Sequence, residues 1–262
     1  MVWPAEWLQP GWAAAGSRDP GAGMQSRTAG AVMTTRAGGV SAVPFDTFNL
    51  RHGLGDSVAA VAANHAVLAH AVGRVPVFLD QVHGAHVVRL VRADALPEAA
   101  VHEGDASITT EAGLACAVQV ADCLPVLFAA PGGRGVGAAH AGWRGLAAGV
   151  LEATVQALCA AAGCEAHELQ AWLGACIGPQ RFEVGPDVVD AFGADGSARF
   201  APHAAGKWLA DLPGLARDRL QAAGVGSISG GAWCTVSDAS RFFSYRRDRV
   251  TGRMAALVWI DV

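Results

Sequence analysis

A single soluble domain combining β-strands with α-helices is what this sequence predicts, and three observations predict it. The 262 residues are 52% apolar and only 16% charged, enough for one Ala/Gly/Val-rich core of closely packed small residues. LACAVQVADC and LPVLFAA are near-continuous apolar runs, the pattern of strands covered on both faces. DSVAAVAANHAVLAHAV and LAAGVLEATVQALCAAAG instead repeat their apolar residues at helical spacing.

Bulk properties narrow the function classes. A net charge of -4 leaves no basic field for a phosphate backbone, so a nucleic acid polymer is excluded as a partner while a nucleotide-sized ligand is not. Asp122, Arg134 and similar residues interrupt every apolar run before the roughly 18 to 20 residues that a membrane span needs. The opening MVWPAEWLQPGW lacks the basic and apolar regions of a secretory signal. Six cysteines without framework spacing or a CxxC pair point to a reducing compartment, so a cytoplasmic location is expected.

Taken in order, residues 1–30 carry Trp3, Trp7 and Trp12 beside Pro4 and Pro10, then a Gly/Ala/Ser run. They read as a loosely attached N-terminal extension with one or two tryptophans docked on a body formed by residues 31–262. A β-branched stretch ends in Arg36, where Gly38-Gly39 and Pro44 force turns, and a cation at such a strand end suits an anion. Asn49, Arg51 and His52 follow in a second loop. Residues 56–72 read as a helix with Asp56 as N-cap. PVFLDQVHGAHVVRLV gives two strands around Gly84, and DASITT a strand starting at Asp105. His83 is preferred over His86 as a functional residue, because it adjoins Gly84 and an odd offset in a strand separates the two faces.

VGAAH is a further strand, and residues 146–162 are a helix ended by Gly163. Arg144 stands at that helix's N-terminal approach, where backbone N–H groups and a guanidinium converge on an anion. LQAWLGACIGPQRFEVGPDVVDAF gives a strand, a Gly-Pro turn and a short helix, with Cys176 a buried thiol. KWLADLPGLARDRLQAAGV reads as another amphipathic helix. The tail is a polar aromatic loop and a final strand; Arg246 and Arg247 serve equally well as ion-pair partners or ligand contacts.

The chemistry centres on Val118–Leu151, which carries Cys123, His140 and a Gly-Trp-Arg-Gly turn, with His83 upstream. Three N and S ligands plus an open position describe a catalytic zinc site, although the spacing matches no short zinc pattern. Zinc lowers the pKa of bound water to roughly 7, giving a hydroxide that can displace an amine from an aromatic carbon. Alternatively, Cys123 is a nucleophile activated by His140, with Asp105 or Asp122 orienting the imidazole. A copper oxidase ranks last, because none of the nine histidines stands in a His-x-His pair.

TTRAGGVSAVPFDTFNL, DQVHG, DASIT, ADCLPVLF, AAHAGWRG, WLGACIGPQRFEVG, CTVSD, FFSYRR and TGRM together resemble the YfiH/DUF152 family, from about Met33 to Ile260. These bacterial proteins were once called polyphenol oxidases or laccases and are now read as purine nucleoside phosphorylases. The resemblance implies a single α+β domain of mixed β-sheets flanked by helices, with zinc, rather than copper, bound by His83, Cys123 and His140. It implies phosphorolysis of adenosine, inosine, guanosine and 5′-methylthioadenosine, with adenosine deamination as a second activity. On this basis Arg36, Arg144 and Gly145 are expected to hold phosphate with Asn49 close by, and Asp105 or Asp122 to protonate the leaving purine. The partners expected are small molecules, a nucleoside and phosphate, and the protein a monomer or weak homo-oligomer. A cytosolic amide hydrolase using Cys123 or zinc on a peptidoglycan precursor is the competing class. The family's NLG turn is here Asn49-Leu50-Arg51, which puts Arg51 at the pocket rim; its LGPAIGP is Leu173-Gly174-Ala175-Cys176-Ile177-Gly178-Pro179.

Overall fold

The structure is a computed structural model that describes residue 4, residues 6–14 and residues 27–261. Trp3 and most of the Gly/Ala/Ser run lie outside the described residues. Helix α1 (Gly11–Ala14) and strand β1 (Thr28–Met33) precede helix α2 (Val58–Val72). Strands β2 (Val75–Phe78), β3 (Val87–Arg89), β4 (Ala106–Thr109), β5 (Leu114–Val120), β6 (Leu124–Ala129) and β7 (Val136–Ala141) follow. Next come α3 (Trp143–Ala147), α4 (Val150–Ala162), β8 (Gln170–Leu173), β9 (Glu183–Val184) and α5 (Pro186–Phe192). The chain closes with β10 (Phe200–Ala204), β11 (Lys207–Ala210), α6 (Leu212–Ala222), β12 (Ser227–Gly230), α7 (Tyr245–Asp248) and β13 (Met254–Asp261).

Two mixed sheets carry the α+β architecture: a four-stranded sheet ordered β1-β13-β5-β2 and a six-stranded sheet ordered β12-β8-β6-β7-β4-β3. A small antiparallel sheet, β10-β11-β9, stands beside them. Side-chain alternation explains why the two large sheets stack. Cys116, Val118 and Val120 of β5 and Ala256, Val258 and Ile260 of β13 pack in one cluster with Leu127, Ala138 and Trp172 of the six-stranded sheet. The intervening Ala115, Ala117, Leu257 and Trp259 face the opposite way, against Leu68 and Val72 of α2. Val126 and Phe128 of β6 pack beneath Val155 and Leu158 of α4 and Leu215 and Leu220 of α6. The order is therefore helix, sheet, sheet, helices, which is why every residue of β5 and β6 is buried and both read as unbroken apolar runs. Among the described residues, no helix is long and apolar enough to cross a membrane.

The N-terminal segment docks through Trp7, which stacks on Phe48 at 5.6 Å, and through Leu8, which exchanges backbone hydrogen bonds with Met33. Strand β1 starts before the boundary expected at residue 30, since its register with β13 runs from Thr28–Asp261 to Met33–Ala256.

Four local expectations are corrected. Ser57, not Asp56, caps α2: its backbone is extended and its Oγ accepts from Ala60 N, while the Asp56 carboxylate is taken up by Ser41, Asn49 and the Ser57 N–H. The helix expected from residue 146 to 162 is broken into α3 and α4 because Gly149 sits at φ 91°. The segment from Lys207 starts as strand β11, and α6 begins only after Asp211, whose carboxylate accepts from Gly214 N. The two strands expected around the Gly84 turn, β2 and β3, do not pair with each other but belong to different sheets. That last difference creates the site.

Candidate metal centre at the sheet crossover

The chain passes from the four-stranded to the six-stranded sheet twice in this region, between β2 and β3 and between β5 and β6. His83 lies on the first crossing and Cys123 on the second. Both crossings turn sharply: His83 has φ 64° and Asp122 φ 101°, left-handed conformations that non-glycine residues adopt only when their surroundings hold them. His140 is in β7 and shares the face of Ala138, toward the neighbouring sheet.

Asp105 holds the first crossing. Its fully buried carboxylate accepts from the backbone N–H groups of Val82, His83 and Gly84 at 3.2, 2.9 and 2.6 Å. It also accepts from His140 Nδ1 at 2.8 Å. Burial pushes this carboxyl's pKa up, but the His140 hydrogen bond and charge and the Gly84 and His83 N–H groups outweigh it and keep it below the usual range. Fixing the proton on Nδ1 leaves Nε2 of His140 as a lone-pair donor, the arrangement found where a carboxylate orients a metal-bound imidazole. Glycines make the close approach possible. A Cβ on Gly142 would lie 2.9 Å from Cys123 Sγ, and one on Gly145 would lie 2.7 Å from the Gly84 carbonyl oxygen.

The result is a group in which one ligand atom each from His83, Cys123 and His140 lies within 4.8 Å of the others. Cys123 Sγ and His83 Nε2 are 3.9 Å apart. A tetrahedral ion with bonds of about 2.0 to 2.3 Å separates its ligand atoms by roughly 3.3 to 3.7 Å, so the three donors fit one ion with small closure. Among the described residues this is the one such group of three or more histidines, cysteines or carboxylates. His86 is exposed and outside it.

The electrostatics suit a thiolate ligand. Burial pushes the Cys123 thiol up, but the charge and hydrogen bond of His140, with those of His83, bring it down to about 6. Burial pushes His140 down, while the Cys123 thiolate and the Asp105 carboxylate raise it to about 9. Chelator-treated protein therefore carries a thiolate–imidazolium pair at neutral pH. Alkylation of Cys123 by iodoacetamide, followed by peptide mapping, is expected to rise with pH around a midpoint of about 6, since only the deprotonated sulfur reacts. A midpoint near that of an ordinary thiol contradicts the pairing. Cys116, in the core, shows the opposite behaviour: burial outweighs a hydrogen bond with Ser107 and pushes it up to about 12.

Two clefts open on either side of these ligands, sharing His83, Ala121, Cys123 and Tyr245. One, of about 390 Å³, adds His140, Gln81, Gln119, Arg51 and Arg253. The other, of about 290 Å³, adds Trp143, Arg144, Phe182, Arg246 and Arg249. The expected phosphate set is thus divided. Arg144 lines a cleft, its guanidinium 4.2 Å from the Trp143 ring centre. Gly145 packs on the crossing loop instead. Arg36 lines neither cleft: it binds the Asp46 carboxylate at 3.3 Å and the carbonyls of Asp46 and Ala239, because the Gly38-Gly39 loop folds back over it. Asn49 is fully buried, with its amide engaged by Arg51, Asp56 and Arg253. The Arg246–Arg247 pair is also split. Arg247 is tied to the carbonyls of Thr235, Val236 and Phe242 and to Asp248, whereas Arg246 reaches the cleft.

Sequence reasoning missed Tyr245, Arg249, Arg253, Gln81 and Gln119. The chain has a single tyrosine, and it stands in an arginine-rich run, SYRRDRVTGR; that clustering was the available signal.

Fold and site together define an α+β protein with a three-ligand N/S centre at a sheet crossover. The chain belongs to the YfiH/DUF152 family, whose description, "Multi-copper polyphenol oxidoreductase laccase", applies to residues 30–261. It is 46% identical over 259 residues to a purine nucleoside phosphorylase of Pseudomonas aeruginosa, covering 97% of this chain and 98% of the relative. It is 47% identical over 242 residues to the purine nucleoside phosphorylase YfiH of Escherichia coli, covering 90% and 96%. A DUF152-family crystal structure from Neisseria meningitidis superposes with a TM-score of 0.86 at 41% identity, over 98% of this chain and 100% of the other. YlmD from Geobacillus stearothermophilus superposes at 0.83 and 34% identity, over 88% and 91%.

Proposed function

We propose that this protein is a zinc-dependent purine nucleoside phosphorylase acting on adenosine, inosine, guanosine and 5′-methylthioadenosine, with adenosine deamination as a second activity. The observation that carries the reading is the convergence of His83, Cys123 and His140 on one point, in a chain aligned almost end to end with relatives of that name. One ion held by an imidazole-rich N/S set suits zinc better than a multicopper assembly. When bound, it supplies Lewis-acid polarisation of a substrate oxygen.

The chain's own residues do the rest. Trp143, Phe182 and Tyr245 line one cleft with aromatic surface of the kind a purine packs against. Arginines on both sides of the ligands neutralise phosphate as its oxygen bonds to C1′ and the C1′–N9 bond breaks. Asp105 acts as a positioning residue that orients His140 and the His83 loop. Asp122, the other carboxylate considered for protonating the purine, accepts from Thr235 Oγ1 and Arg246 N, each at 2.6 Å. The reading is completed by a cytoplasmic protein that works as a monomer or weak homo-oligomer.

Release of ribose 1-phosphate from inosine is the direct test. The rate is expected to require phosphate, to fall to background with a chelator and to return with zinc. Turnover without phosphate overturns the phosphorolytic reading. A second reading, a thiol hydrolase acting on a peptidoglycan precursor, draws on the Cys123–His140–Asp105 line. Metal-free protein that still cleaves, or a covalent substrate adduct on Cys123, would select it.

A further inference from the structure

Two arginines from distant parts of the chain face the metal ligands from one side. Arg51 and Arg253 line the cleft of about 390 Å³ that also holds His83, Cys123 and His140. Buried Asn49 brings them together, because its Oδ1 accepts from the backbone N–H of Arg51 at 3.1 Å and from that of Arg253 at 2.9 Å. Leu50 N donates to the Arg253 carbonyl at 3.1 Å and completes the link. Arg253 is pinned further by Nη1, which donates to the carbonyls of Thr251 and Gly252 at 3.0 Å each. The remaining guanidinium nitrogens have no carboxylate at ion-pair distance among the described residues, and neither has Arg51.

Several arginines elsewhere are engaged differently, while Arg144, Arg246 and Arg249 in the neighbouring cleft likewise have no carboxylate at ion-pair distance among the described residues. Arg36, Arg74, Arg199, Arg219, Arg241 and Arg247 each pair with a carboxylate. Burial and the charge of Arg51 both disfavour the charged form of Arg253. Two like charges held together in a half-buried cleft, in a chain of net charge -4, are retained at an electrostatic cost that an incoming anion removes. Guanidinium forks match tetrahedral and planar oxyanions by bidentate hydrogen bonds, which an ammonium cannot reproduce.

We infer that Arg51 and Arg253 form a phosphoryl-oxyanion subsite next to His83, Cys123 and His140. The inference rests on the nucleoside phosphorylase reading for its substrate. The anion is either the attacking inorganic phosphate or the 5′-phosphate of a nucleoside monophosphate bound in the same cleft.

The test uses the zinc-loaded full chain and the variants Arg51→Gln and Arg253→Lys. Arg51 is at the rim, so its replacement leaves the fold intact even if the Arg253 variant is weakened. For inorganic phosphate as ligand, each variant raises the phosphate KM about tenfold or more, with the inosine KM within about twofold and zinc content unchanged. For a 5′-phosphate, calorimetric affinity for inosine 5′-monophosphate falls by a similar factor while the phosphate KM stays put. If neither quantity moves, or if only the inosine KM moves, the subsite is overturned. Calorimetry with inorganic phosphate separates the two levels of inference. Arg51-dependent phosphate binding by a protein that does not cleave inosine keeps the subsite and removes the phosphorylase. Phosphate-dependent cleavage by a wild type whose anion affinities are matched by Arg51→Gln does the reverse.

Discussion

Replacing Cys123 with alanine is expected, on the proposed function, to leave the protein without metal and to lower turnover of inosine by about a thousandfold or more. The thiolate is the one anionic member of the His83, Cys123 and His140 group, and its charge sustains His140 as well. Without it, two imidazoles remain, one on an exposed residue, and two such ligands hold a divalent ion far less tightly than three. Cys123 is at the cleft surface and not in the core clusters proper, so the fold should survive; far-UV circular dichroism checks this. Elemental analysis and the ribose 1-phosphate assay are read on the same preparation. A variant that keeps stoichiometric zinc and wild-type rates would remove Cys123 from the centre.

Asp105→Ala is the second large effect, and it acts at a distance from any ligand atom. The variant leaves His140 Nδ1–H and the N–H groups of Val82, His83 and Gly84 without their acceptor. Buried donors left unpaired cost about 1–3 kcal/mol each where water cannot reach them, and some of these can rehydrate, so a net loss of about 3 kcal/mol is expected. For a domain of this size that corresponds to a fall in Tm of roughly 6–12 °C. His83, whose backbone at φ 64° is held in part by these contacts, is also expected to relax. Zinc affinity is expected to fall about 10- to 100-fold. Competition with a chromogenic chelator at a temperature well below the lowered Tm measures this apart from stability. An unchanged affinity would mean that Asp105 supports the loop and does not orient the ligands.

How far the sequence reached follows from which interactions are local. β5 and β6 were legible because full burial of both faces leaves an unmistakable apolar run. Helix α2 was legible from its spacing, but its cap was not, since Asp56 and Ser57 are equally good caps by type and the choice depends on Asp56 being claimed by Ser41 and Asn49. Arg36 and Arg144 looked alike as cations at turns. Only the folded chain shows Asp46 beside one and an open cleft beside the other.

By itself the sequence determined the mixed strand and helix composition and singled out His83, Cys123 and His140 as candidates, with Asp105 or Asp122 as the carboxylate beside them. The first is a statement of short-range pattern, and the second one of residue type, because the wide spacing of the three candidates matches no short motif. The tertiary structure alone decided that β2–β3 and β5–β6 are crossings between sheets, and that Arg51 and Arg253 share a cleft through one buried asparagine. Those facts join residues up to 204 positions apart, and no short-range pattern records which distant backbone N–H groups a buried amide accepts.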